Sequence, residues 1–161
     1  MIIYSDAGSN RERFCVSVGI VEGTNNNQII IFPKYRYSKC SSVMEAVGLI
    51  KVLSLVDVET DILLICDNKS IMDSINNTNN IKNERLKTRM RDLKAMLPEG
   101  SKAQHLTAEN SLHISLCDSL CNFIKKANKN TKLEDKVNNI QCYLKESKKF
   151  CVFQDYGISI V

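Results

Sequence analysis

The chain has 161 residues, enough for one domain that buries its own core without staples, and 43% hydrophobic with 25% charged residues is ordinary for a soluble globular protein. Disorder is excluded as the default, and no run approaches the ~20 apolar residues that a membrane span needs. The net charge of +4, from 22 Lys+Arg against 18 Asp+Glu, is too mild to announce a polyanion partner by itself, so the distribution of charge matters more than its size.

The first five residues form a short apolar run, and the start of the chain lacks the basic flank and apolar core of a secretion signal, which points to a cytoplasmic protein. Met1 at the start is expected of a free-standing chain. After Asp6-Ala-Gly-Ser-Asn comes a second run, residues 14–22, rich in β-branched side chains. A loop of turn formers then leads to a third strand over 28–32, expected to stop near Pro33. Three strands with short links predict a meander.

Residues 41–56 switch to helical spacing, apolar almost all round, as in a buried central helix; Ser42 and Glu45 have the spacing of a capping box. The compact run 61–66, ending at Asp67, reads as a strand buried on both faces. Helices follow over 68–76 and 81–97, then a weak fifth strand over 102–106 and an amphipathic helix over 112–127. The order βββαβααβα predicts an α/β fold, a mixed five-stranded sheet with helices on its faces. Residues 1–127 are expected to form this domain and residues 128–161 an appendage. The appendage holds a helix over 133–149, with Leu133, Val137, Ile140 and Leu144 on one face. Its two apolar runs, 150–153 and 158–161, are expected to pair as a hairpin or to extend a sheet edge. A partner-binding tail is the alternative. The seven cysteines contain no C-x-x-C pair and fit reduced core residues better than a metal site.

Four carboxylates stand where this architecture would collect them. Asp6 follows the first strand, Glu45 lies in the first turn of the first helix, Asp67 ends the fourth strand and Asp118 lies within the last helix of the domain. The first and fourth strands are expected side by side, which brings Asp6 and Asp67 together. Each residue has a plainer reading: Asp6 as a turn former, Glu45 as half of a capping box, Asp67 as a helix N-cap, and Asp118 as part of a solvated face.

The segments Tyr-Ser-Asp6-Ala-Gly-Ser, Ser-Ser-Val-Met-Glu45-Ala, Ile-Cys-Asp67-Asn-Lys-Ser and Leu-Cys-Asp118-Ser-Leu together resemble the four catalytic motifs of the ribonuclease H family, type 1. The resemblance implies a ribonuclease H-like fold and an endonuclease that hydrolyses the RNA strand of RNA–DNA hybrids. It also implies two Mg²⁺ ions, with Mn²⁺ as a substitute. Asp6 would bridge both ions, Glu45 and Asp67 would favour the one near the leaving group, and Asp118 the one that activates water. Family members often carry a histidine in the loop before the last helix; here that place falls on Ala108 or Glu109, and His105 is the nearest candidate for proton shuttling. Where many members place asparagines ahead of the helix glutamate, this chain has Ser41 and Ser42, whose hydroxyls can still contact a 2′-OH or a phosphate.

The segment 81–97 carries Lys82, Arg85, Lys87, Arg89, Arg91 and Lys94, and resembles the family's basic helix, although a lysine-rich helix alone is more often a solvated face. Lys69 is a further phosphate candidate. Two rival classes remain: a DNA-directed nuclease of the same fold, such as a resolvase, transposase or exonuclease, and a metal-free binding or scaffolding module that has lost its acids. The exonucleases usually show Asp-x-Glu on the first strand, which Asp6-Ala-Gly does not supply, and retention of all four acids argues against the second class.

Overall fold

A computed structural model describes residues 1–9, 14–23, 25–36, 38–58, 60–76, 81–126 and 130–161. The strands are β1 (Ile2–Ser9), β2 (Phe14–Glu22), β3 (Gln28–Arg36), β4 (Leu63–Cys66), β5 (Lys102–His105) and β6 (Gly157–Ile160). The helices are α1 (Ser41–Leu53), α2 (Lys69–Asn76), α3 (Glu84–Met96), α4 (Leu112–Lys126) and α5 (Leu133–Glu146). Through α4 their order is the expected βββαβααβα.

The sheet is mixed, in the order β5-β4-β1-β2-β3-β6. β1, β2 and β3 form the antiparallel meander, while β4 runs parallel to β1 and β5 parallel to β4. Successive side chains of a strand point to opposite faces, and the burial follows that period. Ile3, Val21, Ile30, Phe32 and Leu64 face a core shared with α1, α2 and α3. Tyr4, Val16, Val18, Ile20, Ile29, Ile31 and Ile65 face a second core under α4 and the C-terminal segment. Among the described residues no helix is long and apolar enough to cross a membrane.

Two strands run further than the sequence suggests. β1 continues through Asp6, Ala7 and Gly8 to Ser9, paired with Val18 back to Cys15, so Asp6 lies inside the strand instead of after it. β3 passes Pro33 because the ladder slips there: Phe32 pairs with Ser17 and Tyr35 with Cys15, leaving Pro33 in the irregularity. A bulge is where a residue without an N–H does least harm to a sheet.

The sheet also has a sixth strand. β6 pairs parallel to β3, Gln28 with Gly157 through Ile31 with Ile160. Residues 150–153 do not form the arm of a hairpin. They make a turn with a short 3₁₀ helix at Cys151–Phe153 that buries Phe150 and Phe153 in the α4-side core. Two aromatic rings three positions apart on one helical turn reach the same side, which a strand would also achieve only at even spacing.

Candidate active site

Strand pairing does the first part of the assembly. β1 and β4 run side by side from Ile2 opposite Leu63 to Ser5 opposite Cys66, so the next residue on each is an aspartate, Asp6 and Asp67. Glu45 arrives from α1, which lies unusually close to β2. A Cβ on Gly19 would stand 2.6 Å from a Val52 methyl, and one on Gly48 would stand 2.6 Å from Ser17 Oγ. The Tyr35 hydroxyl donates to the Met44 carbonyl at 3.1 Å, tying the same turn of α1 to β3. The outcome is that carboxylate oxygens of Asp6, Glu45 and Asp67 all lie within 4.8 Å of one another.

The plainer readings of these acids do not describe the structure. α1 is preceded by Cys40, which makes no side-chain cap, and Ser42 instead accepts a hydrogen bond from Asn68 Nδ2 at 3.2 Å. The spacing of a capping box is present without its bonds, because Glu45 turns into the cluster. Asn68, not Asp67, caps α2, accepting from the Ile71 N–H at 3.2 Å.

The cluster is electrostatically costly as it stands. Asp6 and Glu45 are each only 6% exposed, and Glu45 Oε2 is buried without a hydrogen-bond partner among the described residues. Burial, with Asp67 and Asp118 nearby, pushes Asp6 up to about 7; the Ala7 N–H and Lys125 pull only weakly the other way. Burial and then Asp6 and Asp67 hold Glu45 well above the usual carboxylate range. Asp67 is raised by burial and by Asp118, with its own N–H and His105 opposing. Like charges sharing a small, dry space disfavour ionisation unless a cation joins them.

Asp118 lies on the exposed side of α4, outside the tight group of three but near enough to act on both aspartates. Its Oδ1 accepts from Asn122 Nδ2 at 3.2 Å. His105 ends β5 beside Asp67, its Nε2 3.0 Å from the Asp67 carbonyl oxygen. Ser41 is exposed at the start of α1, and Lys69 is exposed at the start of α2. His113 is turned elsewhere, stacked on Tyr4 and 2.7 Å from a Glu22 oxygen. The cysteines are free thiols, and Cys117 and Cys121 are buried; Cys121 Sγ donates to the Asp6 carbonyl at 3.6 Å.

On α3, Leu86, Met90 and Leu93 are buried and the cations point outward. Arg85 and Arg89 line a cleft of about 450 Å³ together with Arg36, Ser38 and Thr88, floored by Val43, Met44 and Val47 of α1. Lys82 lies before α3, exposed and outside the cleft. Sequence reasoning missed two cations. Arg36 was hidden by ending β3 at Pro33, and Lys125 carries no signal in the sequence until α4 is seen to run from Asp118 past Asp6 to Gly8.

No family model and no curated protein matches the chain. Solved structures do. The RNase H1 of Halobacterium salinarum NRC-1 is 16% identical with a TM-score of 0.58 over 76% of this chain and 95% of that one. LC11-RNase H1, isolated from compost, is 17% identical with a TM-score of 0.60 over 76% of this chain and 93% of that one. The same enzyme solved in complex with an RNA/DNA hybrid is 15% identical, with a TM-score of 0.57 over 76% and 96%. Nearly all of each neighbour is matched, and the chain therefore has the ribonuclease H-like fold.

Proposed function

We propose that the chain is a two-metal-ion endonuclease that hydrolyses the RNA strand of RNA–DNA hybrids. The observation that carries this reading is the buried Glu45 Oε2, without a hydrogen-bond partner among the described residues, in a group of carboxylates whose oxygens lie within 4.8 Å of one another. A divalent cation is what such a donor set fits: oxygen ligands, excess negative charge, and one exposed member, Asp67, open to water and phosphate. Mg²⁺ bound there, or Mn²⁺ in its place, supplies an acidified water and positive charge at the leaving oxygen. In this reading Asp6, Glu45, Asp67 and Asp118 would hold the ions, with Asp6 common to both, Glu45 and Asp67 serving the leaving oxygen and Asp118 the attacking water.

The chain's own groups do the rest. Ser41 and Ser42 meet the substrate at the start of α1, with Ser42 oriented by Asn68. His105, fixed against the Asp67 carbonyl, can carry a proton at the edge of the cluster. Arg36, Arg85 and Arg89 hold phosphates of the uncut strand in the cleft whose floor, Val43, Met44 and Val47, lies within two residues of Glu45 on α1, and Lys69 and Lys82 add outer contacts. Hybrid is favoured over other duplexes by analogy with the neighbour that was solved with an RNA/DNA hybrid.

The test is cleavage of labelled hybrid beside duplex DNA, duplex RNA and both single strands, with Mg²⁺ or chelator. The wild-type chain should cut the RNA of the hybrid only with the metal, and Asp67→Asn should abolish cleavage at unchanged circular dichroism. Cleavage by Asp67→Asn at the wild-type rate, or cutting of DNA in preference to hybrid, overturns the assignment.

A further inference from the structure

A second groove of about 450 Å³ lies on the α4 side of the sheet, where α5 meets the body of the fold. Its floor is apolar, with Ile124 and the rings of Phe14 and Phe123, and its rim carries Lys34, Lys126 and Lys136; among the described residues none that lines it is acidic. Lys34 Nζ sits 5.6 Å from the Phe14 ring centre. Aromatic and apolar surface under a cationic rim is the arrangement that takes a single nucleic-acid strand, bases against the floor and phosphates at the rim, without regard to sequence.

The groove is also placed on a track that leads from the carboxylates. Phe14 stands four residues along β2 from Val18, the cross-strand partner of Asp6, roughly 13 Å at the rise of a strand. Between them lies Lys125, whose Nζ approaches Gly8 and whose charge reaches Asp6, and Lys126 follows it on the groove's rim. We propose that this groove binds the single-stranded extension of a nucleic-acid substrate whose duplex part lies at the carboxylate cluster. The proposal rests on the nuclease reading for the cluster but makes its own demand on the α5 side of the molecule. An acidic peptide would satisfy the lysines but has no use for a run of cations continuous with the cluster.

The experiment is fluorescence anisotropy in chelator with the full chain and three labelled probes: a blunt hybrid, the same hybrid with a six-nucleotide single-stranded overhang at either end, and the free hexanucleotide. An overhang at one end should tighten binding roughly tenfold at about 50 mM salt, and the gain should fade as salt rises. Lys34→Glu with Lys136→Glu should cut that gain to under about twofold, whereas Lys34→Arg with Lys136→Arg should keep it. Equal affinity for blunt and overhanging hybrids, a gain that survives charge reversal, or displacement of the overhang's gain by an acidic peptide but not by the free hexanucleotide overturns the proposal. Cleavage is read separately with Mg²⁺. A chain that shows the overhang gain yet cuts no hybrid would refute the nuclease reading and leave the groove standing.

Discussion

Asp6 is held where a carboxylate keeps its proton to about pH 7, because burial and two neighbouring aspartates outweigh the Ala7 N–H and Lys125. In the unfolded chain it titrates near 3.8. The folded state therefore retains a proton that the unfolded state gives up. This contribution to stability is fully present below the unfolded value and is lost as pH rises through the folded one. Glu45 and Asp67 shift in the same direction. In chelator, the melting temperature should fall between pH 5 and pH 8, by roughly 5–10 °C for a penalty of a few kcal/mol in a chain of this size. Asp6→Asn should flatten that dependence and melt higher than wild type at pH 8, while Mg²⁺ should raise wild type and leave the variant almost unmoved. Parallel melting curves for the two proteins would show that the cluster holds no such strain. That Asp6 and Asp67 would meet was readable from element order, whereas Glu45 was brought to them only by the family resemblance; that Asp118 would stay at the rim was not readable, since its distance depends on how far along α4 the sheet is crossed.

α1 acts as the arm that carries Glu45, and its reach is set by two glycines. With a Cβ 2.6 Å from a Val52 methyl, Gly19→Val must lift α1 off β2, at a cost of about 1–3 kcal/mol. Glu45 would be carried away with it. The expected result is a chain that still folds, melts several degrees lower, and loses hybrid cleavage by more than its stability loss explains; full activity per folded molecule would show that α1 does not position Glu45. Neither glycine is conspicuous in the sequence, because a close approach belongs to the packing of two elements and not to either one. The same limit explains the capping box, whose spacing is local while the bond of Ser42 goes to Asn68, 26 residues on. α3 offers a complementary test. Arg36→Gln, Arg85→Gln and Arg89→Gln together should lower the salt slope of hybrid binding by about 2–3, and Lys82→Gln by clearly less, because the three arginines line the cleft and Lys82 does not. Equal slopes would return α3 to a solvated face.

Over the whole molecule, the sequence resemblance stops where the packing does not. About a quarter of the chain lies outside the match to the solved neighbours, which cover 76% of it. The helical spacing 133, 137, 140, 144 correctly marks one face of α5, yet only Ile140 and Leu144 are buried, and Leu133 is 56% exposed; which residues of an amphipathic face reach the core depends on where the helix is docked. Below α5, Phe150 and Phe153 fill the core under α4, and His113 is packed between Tyr4 and Phe153. Glu22 receives hydrogen bonds from both Tyr156 and His113, and β6 covers the outer edge of β3. Removing everything after Lys126 would delete Ile140, Leu144, Phe150 and Phe153 from that core, uncover the residues they pack against and leave β3 as an open edge, a template for pairing with other chains. Four large apolar side chains at about 2 kcal/mol each outweigh the stability margin of many domains. The truncated chain should therefore aggregate or melt more than about 10 °C below the full chain, whereas Tyr156→Phe, which removes a single hydrogen bond to Glu22, should cost only about 1 kcal/mol. A truncated chain that remains monomeric by light scattering, melts with the full chain and cuts hybrid at the same rate would mean that α5 and β6 contribute nothing to the stability of the sheet they cover.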